Sequence, residues 1–143
     1  EYCYKKDELN DPLISKEHII SFGWATQNEI NTIDHITLRI NDILLGMFRA
    51  IGIKLVDFKI EYGKAWNKDA EKKEIVLVDE ISPDTCRLWD VKTEKKLDKD
   101  RFRKNLGNLY QAYQEVARRL GILHEQSNVR PLRYPKPKAV KNK

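Results

Sequence analysis

Long apolar runs are missing from this chain. No stretch of its 143 residues approaches the roughly 18 consecutive apolar positions of a membrane-spanning helix. No secretory signal precedes the first motif, and cysteine is scarce. Cys3 and Cys86 are the only two, so free thiols in a reducing cytoplasm are expected rather than a disulfide framework. Three histidines, His18, His35 and His124, stand without ligand spacing, which removes a histidine metal centre or a histidine-based triad. Acidic residues are absent from 130–143, where six Lys/Arg stand among three of the five prolines. That stretch carries +6 against +5 for the whole chain, so residues 1–129 sum to −1. A nucleic-acid-binding domain concentrates basic charge on its folded surface, and none is expected here. A proline-broken basic tail over 122–143, flexible or packed on a neighbouring subunit, is expected instead.

What is present suffices for a folded unit. Hydrophobic residues make up 41% of the chain, enough for a core at this length. No repeat or linker divides residues 1–121. Ser15 opens a short helix that ends near Gly23. Thr26 with Glu29 three positions on reads as a capping box. The helix behind it carries Ile33, Ile36, Ile40, Ile43, Leu44, Met47, Phe48 and Ile51 at spacings of three and four, one buried stripe stopped at Gly52. Asp98 is placed to cap a helix reaching Leu106, and a last helix turns Leu109, Ala112, Tyr113, Val116 and Leu120 inward before Gly121. Trp89 reads as core. The order is α+β.

Between the helices the pattern changes period. Val56, Phe58, Ile60 and Tyr62 alternate with Asp57, Lys59 and Glu61, which predicts a strand over 54–62 with the apolar set buried and three ionisable groups on the other face. Same-face neighbours then lie about 6.5–7 Å apart, close enough to share one polyphosphate or metal ion. A second strand, 74–79, ends in Asp79-Glu80 and is expected to pair with the first across a polar turn over 63–73. A short third strand is expected over 85–89. Two strands delivering carboxylates to one end suit a hard cation, although a solvated strand face would show the same alternation.

The wording of these segments is more specific than their pattern. Leu-Val-Asp-Phe-Lys-Ile-Glu-Tyr-Gly (55–63) and Asp-Glu-Ile-Ser-Pro-Asp-Thr-Cys-Arg-Leu-Trp-Asp (79–90) closely resemble paired signatures of the phosphoribosylaminoimidazole-succinocarboxamide synthases, the SAICAR synthetases of purine biosynthesis. Tyr4-Lys5-Lys6-Asp7, Asp11-Pro12, Phe22-Gly23-Trp24, Leu-Asp-Lys-Asp-Arg-Phe-Arg (97–103) and Ala-Tyr-Gln-Glu-Val-Ala-Arg-Arg-Leu-Gly (112–121) continue the likeness in order. The resemblance implies an ATP-grasp-like α+β fold, with a mainly antiparallel sheet flanked by helices. Family members begin with a lysine-containing nucleotide-covering segment and an Ala-Ala-Gly-Ser motif, and nothing like either stands before Tyr4. The expectation is therefore a C-terminal catalytic portion over 1–121, inactive by itself.

The resemblance also implies a chemistry. It is the ATP-dependent joining of carboxyaminoimidazole ribonucleotide (CAIR) to the amine of L-aspartate, with Mg2+, in a cytoplasmic homo-oligomer, with no nucleic acid or membrane partner. Glu61 and Asp79 match the family's metal-binding carboxylates, and Lys59 its active-site lysine. Asp57 is a catalytic candidate that orients Lys59, joins the metal shell or takes a proton from the aspartate ammonium. Asp84, Arg87, Lys99, Arg103 and Asp11 are the substrate-binding candidates, with Arg87 on the ribonucleotide phosphate; an ion pair with Asp90 is the plain alternative for Arg87. Two other readings are a phosphotransferase sharing only the handling of Mg·ATP and a non-catalytic basic interaction module built on the tail.

Overall fold

A computed structural model describes residues 1–123; the tail 124–143, with its basic stretch and His124, lies outside the described residues. The chain runs through β1 (Tyr2–Cys3), a 3-10 turn (Asp7–Leu9), β2 (Leu13–Ile14), α1 (Lys16–Ser21), α2 (Gln27–Ala50) and β3 (Ile53–Phe58). It continues through β4 (Tyr62–Asn67), β5 (Lys72–Leu77), β6 (Cys86–Asp90), α3 (Asp100–Arg103) and α4 (Leu109–Arg119). The strands pair antiparallel as β1–β2, β3–β6 and β4–β5.

The capping box at α2 forms as the sequence predicts: Thr26 Oγ1 accepts from Glu29 N–H, and Glu29 Oε2 accepts from Thr26 N–H at 2.8 Å. Gly52, at φ 71°, turns the chain out of this helix in the left-handed region that a Cβ disfavours. The core joins Leu44 and Phe48 of α2 to Ile53 and Leu55 of β3, Cys86 and Leu88 of β6, Leu97, and Ala112 and Val116 of α4. Ile43 and Met47 are exposed, so the buried stripe of α2 is narrower than its spacing implies and centres on Ile30, Leu44 and Phe48.

The strand expected over 54–62 is instead two strands with different partners. The β3–β6 register shifts between Leu55 and Asp57, a bulge that places an extra residue in β3. Ile53 and Leu55 face the core, and Val56, expected inside, is 38% exposed. A one-residue slip exchanges the faces of everything beyond it. The chain then leaves the sheet at 59–61 and re-enters as β4, whose partner β5 follows a tight turn at 68–71. Residues 63–67 and 72–73, expected in a polar turn, are thus strand. The third strand forms close to its expected place, and it pairs with β3.

Asp98 is fully buried. Its Oδ1 accepts from Asp100 N–H and its Oδ2 from Leu88 N–H, both at 2.8 Å, so it ties the start of α3 to β6, although the N-cap position itself falls on Lys99 rather than Asp98. The helix stops at Arg103 rather than Leu106 because Asn105 and Gly107 take positive φ. Trp89 is half-buried, with the ammonium groups of Lys54 and Lys96 over its ring.

Arg119 locks α4 to the sheet, donating to Asp90 Oδ2 at 2.6 Å, Glu115 Oε1 at 2.7 Å and Gly52 O at 3.2 Å. The Thr93 hydroxyl, then Arg119, hold the Asp90 carboxyl far below the usual carboxylate range. A carboxyl lowered on folding stabilises the fold above its unfolded pKa, about 3.9, and that contribution is lost as pH falls through the folded value. Melting temperature is therefore expected to hold from pH 7 to 5 and drop below about pH 4. Asp90→Asn should melt lower at pH 7 with a shallower acid slope in circular dichroism; parallel slopes would remove Asp90 from the acid response.

Candidate active site

The break after β3 gathers the first group of candidates. At 59–61 the chain is free of strand pairing, and Lys59 turns its ammonium to Glu61 Oε1 at 2.7 Å and Asp11 Oδ2 at 3.4 Å. Asp11 arrives from the tight turn before β2, where Asn10 and Asp11 both take positive φ and Lys6 N–H donates to Asp11 Oδ1 at 2.9 Å. Lys5 completes the group, with its ammonium 3.4 Å from Asp11 Oδ2 and 3.9 Å from Glu61 Oε1, and paired to Asp7. The hydrogen bond to Glu61 raises the pKa of Lys59 above the ordinary lysine value against its partial burial. The Lys6 N–H and the two ammonium groups hold Asp11 below the carboxylate range.

Asp79 lies beside this group. Val78 N–H donates to Glu61 O at 3.0 Å, which sets residue 79 next to the Lys59–Glu61 turn. A hydrogen bond shared with the Glu80 side chain, the Glu80 N–H, and the charges of Lys59 and Lys5 together lower its pKa. Gly63 makes the approach possible: a Cβ there would stand 2.9 Å from Val78 Cγ1. Valine is stiff about χ1 and cannot swing aside cheaply. Gly63→Ala is expected to cost about 1–3 kcal/mol by overpacking, read in denaturant unfolding; an unchanged midpoint would show that β4 and residue 78 can separate freely.

Asp57 does not join Lys59 and Glu61, contrary to the expected single row. The bulge sends it across the strand pair, where its Oδ2 accepts from Arg87 Nη1 at 2.7 Å. Arg87 Nε also reaches Asp100 Oδ2 at 3.8 Å, and Asp90, the expected plain partner of Arg87, is taken by Arg119. Asp100 sits at the start of α3 with its side chain 8% exposed, and it collects three more cations: Lys96 at 3.4 Å, Lys104 at 3.5 Å and Arg103 at 3.6 Å. Burial opposes ionisation of Asp100, but the charges of Lys104, Lys96 and Arg87 outweigh it and lower its pKa. Four cations against Asp100, Asp57 and the neighbouring Asp98 leave a surplus of positive charge, an attractive place for a phosphate ester.

The turn at 82–85 stands between the two groups. Thr85 O accepts from Lys59 N–H at 2.7 Å, and Pro83 O accepts from Lys99 N–H at 3.1 Å, so one turn is pinned to the β3 exit and to the start of α3. Asp84 projects from it and accepts from the Tyr113 hydroxyl. Lys99 thus enters through its backbone, whereas Arg101 is structural: it is buried and donates to the carbonyls of Lys96, Leu106 and Gly107. Lys5, Lys96, Asp100, Lys104 and Tyr113 were not among the sequence-derived candidates. Of these, Lys5, Asp100 and Tyr113 carried a signal, within the Tyr4-Lys5-Lys6-Asp7, 97–103 and 112–121 likenesses, and Lys96 and Lys104 carried none.

Comparison with known proteins identifies the family. The family model for SAICAR synthetase matches residues 1–120. The phosphoribosylaminoimidazole-succinocarboxamide synthase of Pelagibacter ubique (strain HTCC1062) is 59% identical over all 143 residues, which cover 54% of that relative. The crystal structure of the synthase from Ehrlichia chaffeensis superposes with a TM-score of 0.79 at 53% identity, over 85% of this chain and 51% of that one. A SAICAR synthetase solved in complex with ADP superposes at 0.74 with 48% identity, over 82% and 48% of the two chains. The chain spans about half the length of the curated relatives it matches. These shares state how much of each relative is spanned, and they do not bear on the expected C-terminal placement. Motifs, fold and relatives converge: the chain belongs to the SAICAR synthetase family.

Proposed function

We propose that this chain is the substrate- and metal-binding portion of an ATP-dependent ligase that joins the CAIR carboxylate to the amine of L-aspartate. The convergence of Asp11, Lys59 and Glu61 beside Asp79, in a chain of this family, carries the reading; a relative that binds ADP supports its nucleotide half. A carboxylate is a poor acyl donor because oxide would have to leave. Attack of a CAIR carboxylate oxygen on the γ-phosphorus breaks the bond to the β-phosphate oxygen, releases ADP and forms an acyl phosphate. The aspartate amine then adds to the acyl carbon, loses a proton, and phosphate departs with the C–O bond, leaving the amide of SAICAR.

Glu61 and Asp79 fit a magnesium ion by donor chemistry, since both offer carboxylate oxygens at adjoining chain segments flanked by ammonium groups. No cluster of three or more His, Cys, Asp or Glu that could hold a metal stands among the described residues. An ion that keeps waters and phosphate oxygens needs only one or two carboxylates. When bound, it would neutralise the polyphosphate. Lys59 contributes a compact charge for a phosphoryl oxygen or the CAIR carboxylate. Asp57 orients Arg87, which with Arg103 meets the ribonucleotide phosphate, while Asp84, Asp11 and Lys99 line the imidazole and carboxylate side. A cytoplasmic homo-oligomer belongs to the same reading. No described helix is long and apolar enough to cross a membrane.

The test is ADP release from a family-length ligase carrying this chain, with CAIR and aspartate omitted in turn. SAICAR and ADP should form in equal amounts and only with all three substrates present. ADP release that needs no CAIR would overturn the proposal in favour of a simpler phosphotransferase.

A further inference from the structure

Asp84 is held from two directions. Its N–H donates to Ser82 Oγ at 3.1 Å, Ser82 N–H donates to Thr85 Oγ1 at 3.0 Å, and Ser82 O accepts from Thr85 and Cys86 at 3.0 Å. With the bond between Pro83 and Lys99, the backbone of the turn has little freedom. The carboxylate is not fixed by the turn. An aspartate projecting from a surface turn can rotate about two torsions, and a substrate contact needs one setting. That setting comes from α4, twenty-nine residues away, where the Tyr113 hydroxyl donates to Asp84 Oδ1.

The placement of that hydroxyl is itself determined by the core. Tyr113 is half-buried and packs on the cluster that contains Ala112 and Val116, so its ring direction is set by apolar contacts rather than by solvent. A hydrogen bond to a carboxylate is charge-assisted, shorter and stronger than a neutral one. It occupies Oδ1, and Oδ2 is the oxygen a substrate donor would meet. We propose that Tyr113 is a positioning residue that aims the Asp84 carboxylate at the imidazole ribonucleotide. The inference rests on the reading of Asp84 as a substrate contact given above. Burial, then the bond to Asp84, raise the Tyr113 phenol well above the usual tyrosine value, with Asp98 adding to the rise and Arg103 opposing it.

Tyr113→Phe isolates the point, because it keeps the ring in the core and removes only the hydroxyl. The probe is 5-aminoimidazole-4-carboxamide ribonucleotide, titrated into a family-length ligase carrying this chain and followed by amide shifts over residues 82–87. Tyr113→Phe should raise Kd about tenfold, the size of one charge-assisted hydrogen bond, with little change in melting temperature. Asp84→Asn should weaken binding at least as much, and the double variant should bind no worse than Asp84→Asn alone, since Tyr113 acts only through Asp84. An unchanged Kd in Tyr113→Phe beside a weakened Asp84→Asn, or effects that multiply in the double variant, overturns the inference alone. A wild-type family-length ligase without a saturable response, or Asp84→Asn binding as wild type does, overturns the reading of Asp84 and the inference together. A second readout needs no ligand: Asp84→Asn should lower the Tyr113 phenol titration followed by absorbance, and an unmoved titration overturns the contact itself.

Discussion

Glu61→Gln, in a family-length ligase carrying this chain, is expected to lower turnover with Mg·ATP by roughly 10²–10³-fold, the scale of one preorganised electrostatic contact. Asp79→Asn should do the same. The substitution is nearly isosteric, and the geometry around Glu61 shows why the fold should tolerate it. Its side chain is 19% exposed and accepts from Lys59, but Lys59 keeps Asp11 at 3.4 Å and Lys5 keeps both Asp7 and Asp11. No cation is left stranded, so the large penalty of an unpaired buried charge does not arise. Melting temperature should change little while the magnesium requirement rises steeply. The amide should also bring the Lys59 pKa back toward the ordinary lysine value, because the bond to Glu61 is the main cause of its rise. A loss of turnover that magnesium cannot relieve, accompanied by a lower melting temperature, would make Glu61 structural and leave the metal reading without support.

How much of this site was legible beforehand differs from residue to residue. Helix α2 was readable from Thr26 to Gly52 because its cap, its period and its stop are local signals. The strand after it is not one strand but two, and alternation of Val56, Phe58, Ile60 and Tyr62 is also what two strands joined by an irregular turn produce. The buried face of β3 is chosen by Leu55 under the α2 helix and by the bulge opposite β6, a strand whose paired residues lie about thirty positions away. The grouping of Asp57 with Lys59 failed for that reason, and the Asp57–Arg87 pair replaced it. Asp11 and Lys5 come from a turn some fifty residues before Lys59, so no local pattern could bring them there; only the family likeness pointed at Asp11. Tyr113 is the inward-facing ring that its spacing predicts, and its hydroxyl is invisible to a count of apolar spacings.

Arg87→Ala separates charge from stability at the second group. The side chains of Arg87 and Asp57 are 49% and 55% exposed, and an exposed pair of this kind stabilises a fold by about 0–1 kcal/mol. Asp100 keeps Lys96, Arg103 and Lys104 after the change, so its buried carboxylate stays balanced. Melting temperature should therefore move by only a few degrees at most. Binding is another matter, because a ligand phosphate loses the planar two-pronged donor that a guanidinium offers. The expected loss is about 1.5–3 kcal/mol, or roughly 10–150-fold in the CAIR requirement, with KM for ATP and aspartate little changed. Arg87→Lys should recover only part of it, since an ammonium restores charge without the fork, and the remaining lysines already supply charge at that spot. Full recovery with lysine would mean that the surplus of positive charge around Asp100, and not the geometry of Arg87, selects the ligand. Equal losses for all three substrates would instead place Arg87 in the framework that holds β3 to β6.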